Sequence, residues 1–131
     1  MFADASALSA ILLKEPDASD LMARIHSYET RITSPMAVWE TVMAVSRGVD
    51  LALEDAATVV EAFLRLANIK VQAIPAEAWH AAVVAHARFG KGRHPAALNF
   101  GDCFAYACAR EAKAPLLYKG DDFSRTDIEA A

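Results

Sequence analysis

The sequence predicts an α/β domain built around a mainly parallel sheet. Short apolar segments alternate along the chain with stretches of helical periodicity, and this order is typical of parallel strands joined by helices. The 131 residues are 55% hydrophobic and 23% charged, which is the composition of a folded globular protein. This length favours a single domain, residues 1–131, large enough to bury a core without disulfides.

The N-terminal half of the chain predicts two short strands, each followed by helices. The first strand is inferred from the elements after it, because four residues show too little pattern. Ser34 and Pro35 mark a helix start, since serine is a favoured N-cap and proline a favoured first helical residue. Gly48 predicts the end of that helix. The predicted elements are strand 1–4, helices 6–14 and 18–28, strand 31–33 and helix 35–47.

The C-terminal half predicts a similar alternation. Apolar residues at positions 56, 59, 60, 63, 64 and 67 have the spacing of one face of an amphipathic helix. A helix start is also predicted at Asp102, which follows Gly101 and can cap the helix at its positive dipole end. The predicted elements are helix 54–67, strand 69–74, helix 76–89, an irregular connection 90–100, helix 102–113 and strand 115–118.

Charge and hydropathy argue against several classes of protein. The 17 acidic and 13 basic residues argue against nucleic-acid binding by bulk positive charge, although a local basic patch remains compatible. No apolar run reaches about 18 residues, so no membrane span is expected. The N-terminus has an early Asp4 and no basic segment, so we do not expect a signal peptide.

The two cysteines, Cys103 and Cys108, are predicted to stay unpaired. On one helix their Cα atoms would lie about 8–9 Å apart, beyond the reach of a disulfide. Buried free thiols are typical of a reducing environment, so we expect a cytoplasmic protein.

Three acidic residues stand alone in otherwise uncharged segments. Asp4 is the only charged residue from Met1 to Leu13, Glu40 from Pro35 to Ser46, and Asp102 from Pro95 to Ala109. The helical neighbours of Glu40 are all apolar, which puts its carboxylate on a face that should be buried. Burying an unpaired carboxylate costs several kcal/mol.

These three acids admit both a shared and a separate explanation. Separately, Asp102 could be an N-cap, Asp4 a turn residue, and Glu40 the partner of a distant arginine. Together, Asp4, Glu40 and Asp102 would form a cluster of oxygen ligands without a protein cation, which suits Mg²⁺ or Mn²⁺. Strands of a parallel sheet present such groups at their C-terminal ends.

A fourth acid is available after the last predicted strand. Asp121 and Asp122 follow Gly120 in a turn at the C-terminal end of that strand. Either residue could instead be a solvated turn residue, because the segment around them is generally charged. If four acids share one pocket, the remaining 13 acids balance the 13 bases, and the net charge no longer argues against a nucleic-acid substrate.

Four motifs contain the acids discussed above, namely DASAL at 4–8, Glu40 in SPMAVWE, LNFGDCFAYACA at 98–109 and LLYKGDDFSRTDI at 116–128. Together they resemble the PIN-domain ribonucleases, and more narrowly the VapC toxins of bacterial toxin–antitoxin modules. The resemblance implies a three-layer α/β/α fold and Mg²⁺- or Mn²⁺-dependent cleavage of RNA. By position it places the catalytic acids at Asp4, Glu40, Asp102 and Asp121 or Asp122. It also implies supporting roles for Ser6 and Asn99, a VapB-like antitoxin as partner, and a homodimer.

The chemistry agrees with these residues, because divalent ions can activate water and neutralise phosphate charge without a side-chain nucleophile. We expect Asp4 and Asp102 to be the principal metal ligands and Glu40 to bind directly or through water. A basic stretch, HARFGKGRH, precedes the Asp102 segment and could bind the RNA backbone. Its candidate residues are Arg88, Lys91, Arg93 and His94; a solvated loop is the alternative.

Two other function classes remain open at this point. A receiver-like signalling domain also clusters acids around Mg²⁺, but it needs adjacent acids after the first strand, and Ala5 and Ser6 follow Asp4. A catalytically silent α/β binding module could use the same acids for folding alone.

Overall fold

A computed structural model describes all residues, 1–131, and contains a four-stranded parallel sheet. The strands follow the order β3-β2-β1-β4, so the first strand lies in the middle. Phe2 pairs with Ile32 on one side and with Leu116 on the other. The strands are β1 (Phe2–Ala3), β2 (Ile32–Thr33), β3 (Lys70–Val71) and β4 (Leu116–Leu117).

Six α-helices connect the strands, and a short 3₁₀ helix follows the last one. No helix is long and apolar enough to cross a membrane. The α-helices are α1 (Ala5–Leu12), α2 (Ala18–His26), α3 (Pro35–Val49), α4 (Leu53–Leu66), α5 (Ala78–Phe89) and α6 (Phe100–Glu111); the 3₁₀ helix is Phe123–Arg125.

Helices cover both faces of the sheet, so the chain forms three layers. Successive strand residues point to opposite faces, and Phe2 and Leu116 belong to one apolar cluster while Ala3 and Leu117 belong to the other. The first cluster contains the buried faces of α5 and α6, and the second contains those of α1, α2 and α4. The predicted α/β/α class is confirmed.

Several predicted helix ends differ from the structure by about two residues, and the differences in α3 and α6 involve specific contacts or caps. Helix α3 continues through Gly48 to Val49 and ends where Asp50 adopts a left-handed conformation. The Leu13 side chain packs closely against Gly48, where a Cβ would lie 2.6 Å from Leu13 Cδ2. Helix α6 begins at Phe100, and its N-cap is Asn99 rather than Asp102. The predicted cap at Ser34 is confirmed, since its hydroxyl accepts a bond from the Ala37 amide.

The predicted strand at 69–74 is much shorter than its apolar pattern suggests. Only Lys70 and Val71 form β3, and both are exposed at the edge of the sheet. Beyond them the Gln72 amide still donates to the Thr33 carbonyl, and Pro75 then leads toward α5. Edge strands in natural proteins are commonly short.

The C-terminal ends of β1, β2 and β4 lie side by side at the same end of the sheet. Asp4 directly follows β1, and its amide donates to the carbonyl of Leu117 at the end of β4. Ser34 follows β2 and starts α3, the helix that carries Glu40. This end is where parallel α/β proteins bind ligands.

Candidate active site

Asp4 is the most deeply buried acid of the chain, with 3% of its surface exposed. It caps α1, and its Oδ2 accepts bonds from the Ser6 amide at 2.9 Å and the Ser6 hydroxyl at 2.5 Å. The Ser6 hydroxyl in turn accepts a bond from the Lys119 amide at 3.0 Å. Ser6 therefore joins the ends of β1 and β4 and fixes one oxygen of Asp4.

Glu40 is half-buried where α3 packs against the first turn of α6. Its carboxylate lies against Gly101, where a Cβ would stand 2.7 Å from Glu40 Cδ. No lysine, arginine or histidine forms an ion pair with Glu40. Gly101 thus leaves space for the carboxylate, and the alternative in which Glu40 pairs with a distant arginine is wrong.

Asp102 is the third residue of α6 and completes a capping box with Asn99. The Asp102 amide donates to Asn99 Oδ1 at 3.0 Å, and the Asn99 amide donates to Asp102 Oδ2 at 2.8 Å. Such reciprocal bonds satisfy helix N-terminal donors. One oxygen of Asp102 is fixed in this way, and the predicted supporting residue Asn99 contacts it directly.

Asp4, Glu40 and Asp102 line one open cleft of about 410 Å³. Ser6 and Asn99 line the same cleft. The shared location of the three acids follows from the topology, since β1, α3 and α6 each bring one of them to the same end of the sheet.

The carboxylates of the cleft have raised pKa values. Burial and the charges of Asp4 and Asp102 raise the pKa of Glu40 to about 7. Burial and the charges of Asp4 and Asp122 raise the pKa of Asp102 to about 6, against the lowering effect of the Asn99 amide. Burial also raises the pKa of Asp4, although its bonds from Ser6 oppose the shift. The site is therefore short of positive charge.

The donor set of the cleft fits Mg²⁺ or Mn²⁺. No three acidic, histidine or cysteine side chains lie close enough together to bind one ion between them. Mg²⁺ does not need such a set, because it keeps several water molecules and commonly binds through one or two carboxylates. The unfixed oxygens of Asp4 and Asp102 and the unpaired Glu40 are donors of the type these ions prefer.

The predicted fourth acid lies outside the cleft lining. Asp121 and Asp122 are both exposed in the turn before the 3₁₀ helix. Of the two, Asp122 contributes to the raised pKa of Asp102. Asp122 is therefore the member of the pair that is electrostatically coupled to the cleft.

The four predicted RNA-binding residues have different environments. Lys91 and Arg93 are exposed and unpaired. Arg88 pairs with Asp127 at 3.0 Å and covers the Phe89 ring. His94 accepts a bond from the Ala96 amide through a ring nitrogen.

Backbone hydrogen bonds hold together the two ends of the loop that carries Lys91 and Arg93, and they do so next to the cleft. The Lys91 amide donates to the Leu98 carbonyl, and the Leu98 amide donates to the Phe89 carbonyl, both at 2.9 Å. Leu98 immediately precedes Asn99, which lines the cleft. The free basic residues are thus on a loop that begins and ends beside the site.

Comparisons with known proteins agree with this arrangement. The model of the PIN domain matches residues 1–129. A ribonuclease VapC of Mycolicibacterium smegmatis is 38% identical over 130 residues, covering 99% of this chain and 98% of that protein. Ribonuclease VapC30 of Mycobacterium tuberculosis is 38% identical over 128 residues, covering 98% and 95%. This chain belongs to the VapC ribonucleases of the PIN-domain family. The predicted family is confirmed.

A solved VapC structure has the same fold as this VapC-family chain. The crystal structure of Mycobacterium tuberculosis VapC20, described as a sarcin-ricin loop cleaving toxin, superposes with a TM-score of 0.78. The match covers 99% of this chain and 97% of VapC20, at 18% identity. The receiver-like alternative is wrong, because the whole chain matches a different family.

Sequence reasoning missed two features of this VapC site. Gly101 makes room for Glu40, and Lys119 lines the cleft beside Glu15. Lys119 could have been found from its position directly after the apolar LLY segment, at the C-terminal end of the predicted last strand. The role of Gly101 depends on how α3 packs against α6, which no local pattern indicates.

Proposed function

We propose that this chain is an endoribonuclease toxin that hydrolyses RNA phosphodiester bonds at the acidic cleft. The observation that carries the proposal is the convergence of Asp4, Glu40 and Asp102 in one cleft with raised pKa values and no ion-pair partner. Structural carboxylates are usually paired, so this arrangement suits a divalent cation.

Mg²⁺ or Mn²⁺ would be held by Asp4 and Asp102, with Glu40 binding directly or through water. When bound, such an ion activates water and offsets negative charge on a phosphate. Ser6 holds one oxygen of Asp4, and Asn99 holds one oxygen of Asp102, so each acid keeps an oriented free oxygen. The exposed Asp122 acts from the rim, through its charge on Asp102.

RNA would follow the loop that carries Lys91 and Arg93. Both side chains are exposed and free of ion pairs, so they are available to phosphates. We assign a smaller share of binding to Arg88, whose charge is offset by Asp127, and to His94, whose ring is held by Ala96 and packs edge-on to Phe89.

A VapB-like antitoxin is the proposed protein partner, and helix α4 supports its docking. Leu53 and Val59 are 50% and 41% exposed, and Leu66 at the end of the helix is 85% exposed. Amphipathic antitoxin segments can bury such residues. Val60 of the same helix belongs to the core instead.

A second apolar surface supports the proposed homodimer. Trp79, Val83 and Phe100 are 53%, 59% and 70% exposed where α5 meets α6. Together with Phe104 they line a groove of about 340 Å³. Trp39 is 61% exposed, so neither tryptophan is a core residue. Exposed apolar surface of this kind commonly marks an interface between proteins.

Cleavage of single-stranded RNA by the purified chain tests the proposal. We expect products with Mg²⁺ or Mn²⁺, none in EDTA, and none from Asp4→Asn or Asp102→Asn. A cytoplasmic location, suited to the free buried thiols of Cys103 and Cys108, is part of the same proposal. Equal cleavage in EDTA, or no cleavage with any divalent ion, would instead favour a catalytically silent module.

A further inference from the structure

Lys119 is the only lysine or arginine that lines the acidic cleft. It directly follows Tyr118 at the end of β4, and its amide donates to the hydroxyl of Ser6, which itself donates to Asp4. The backbone at Lys119 is therefore fixed relative to the Asp4 carboxylate. Of these bonds, the one at Lys119 uses its main-chain amide and does not involve its side chain.

The Lys119 ammonium group is held by two acids of the α1–α2 connection. Nζ contacts Glu15 Oε2 and lies 3.1 Å from Asp17 Oδ1. An ammonium group has three donors, so these two acids leave one donor unused. A flexible lysine loses side-chain entropy when it binds a ligand. The two ion pairs reduce that loss by ordering the side chain in advance.

We propose that Lys119 is a substrate-binding residue that donates a hydrogen bond to an RNA phosphate in the cleft. The inference rests on the proposed ribonuclease function and extends it to a specific contact. Four acids line the cleft, namely Asp4, Glu15, Glu40 and Asp102. RNA carries a negative phosphate at every nucleotide. Lys119 is the one protein cation that lines the cleft, and its remaining N–H donor is the group that a phosphate oxygen there can accept from.

The same contacts could instead form a structural clamp between β4 and the α1–α2 connection. The two roles predict different consequences for Glu15. In a clamp, Lys119→Gln and Glu15→Gln break the same ion pair and impair stability and activity alike. If Lys119 binds phosphate, Lys119→Gln weakens RNA binding, whereas Glu15→Gln removes a competing negative charge and strengthens it.

Steady-state cleavage of a short single-stranded RNA with Mg²⁺, measured from low to moderate salt, distinguishes these roles. We expect Lys119→Gln to raise KM about tenfold, the loss of one charge-assisted hydrogen bond, and to change kcat less than twofold. The slope of log kcat/KM against log salt should fall by about 0.7, as for one phosphate contact on a single strand. Lys119→Arg should restore most of the loss, and Glu15→Gln should lower KM.

Lys70→Gln is the matched control, since Lys70 is exposed on β3 at the opposite edge of the sheet from β4. Its KM and salt slope should equal those of the wild type. The inference is overturned if the wild type cleaves RNA while Lys119→Gln keeps the wild-type KM and slope. It is also overturned if Glu15→Gln and Lys119→Gln raise KM together and lower the melting temperature together. Absence of any cleavage by the wild type would instead remove the proposed function, and this inference with it.

Discussion

The acidic cleft and the surroundings of Asp127 shift the pKa of a carboxylate in opposite directions. Asp127 accepts a bond from the Tyr106 hydroxyl at 2.6 Å and pairs with Arg88 at 3.0 Å. The Tyr106 bond, with Arg88 and Arg110 nearby, lowers its pKa. In the cleft, burial and mutual repulsion raise the pKa values of Glu40 and Asp102 instead.

The difference distinguishes an acid whose charge the protein satisfies from acids whose charge it leaves unpaired. Asp127 ties the C-terminal segment to α5 and α6, and its charge is satisfied within the protein. None of the three cleft acids forms an ion pair. Asp4 and Asp102 each accept hydrogen bonds through one carboxylate oxygen. A cation from solution is what would satisfy them.

The largest expected effect on RNA cleavage comes from replacing a cleft acid by its amide, compared with the same replacement at Asp127. Asp102→Asn should reduce RNA cleavage on the order of 10³-fold or more, because even outer-shell changes at metal sites cost about 10–100-fold. Asp127→Asn should change cleavage less than about threefold and lower the melting temperature, since Arg88 loses its partner. Cleavage rates and thermal melts of both variants check this; equal losses of activity would remove the distinction between the regions.

Gly101→Ala should have an intermediate effect. The new methyl group would displace the Glu40 carboxylate, since a Cβ at 101 overlaps its position. We expect a loss of cleavage of about 10–100-fold with the fold retained, measured by kcat/KM and circular dichroism. Wild-type activity in Gly101→Ala would mean that the position of Glu40 is unimportant.

The smallest expected effect concerns stability and pH. Folding raises the Glu40 pKa from 4.5 to about 7, so the stabilisation from its protonated form is present below about pH 4.5 and is lost as pH rises through about 7. Glu40→Gln stays neutral throughout. In EDTA it should melt about 3–5 °C above the wild type at pH 8, for a gain of about 1 kcal/mol.

At pH 4.5 the melting temperatures of Glu40→Gln and the wild type should nearly coincide, because Glu40 is then protonated in the folded state. A constant difference between the two proteins at every pH would contradict the assignment of the effect to Glu40 ionisation.

The sequence predicted the fold class and the grouping of the acids because both depend on local patterns and on parallel topology. Asp4 follows a central strand, and Glu40 and Asp102 are conspicuous because their own helices are otherwise uncharged near them. Such features need no knowledge of tertiary contacts. The three residues line one cleft as expected, while their ligand roles stay a prediction.

The remaining details depend on contacts between distant segments, which local patterns do not encode. Helix α3 passes through Gly48, against which the Leu13 side chain packs, and Gly101 leaves the adjoining space that Glu40 occupies. The pairing of Lys119 with Glu15 joins residues 104 positions apart. Likewise, Arg88 pairs with Asp127 from the C-terminal segment. Because this pair offsets the charge of Arg88, we expect Arg88 to contribute less to RNA binding.

Thermal unfolding with and without Mg²⁺ at pH 8 tests the central claim most directly. A cation bound only by the folded cleft raises the melting temperature by mass action. The account predicts a rise of about 3–5 °C for the wild type and for Asp127→Asn, and no rise for the double variant Asp4→Asn/Asp102→Asn. An equal rise in all three proteins, or none in the wild type, would contradict it.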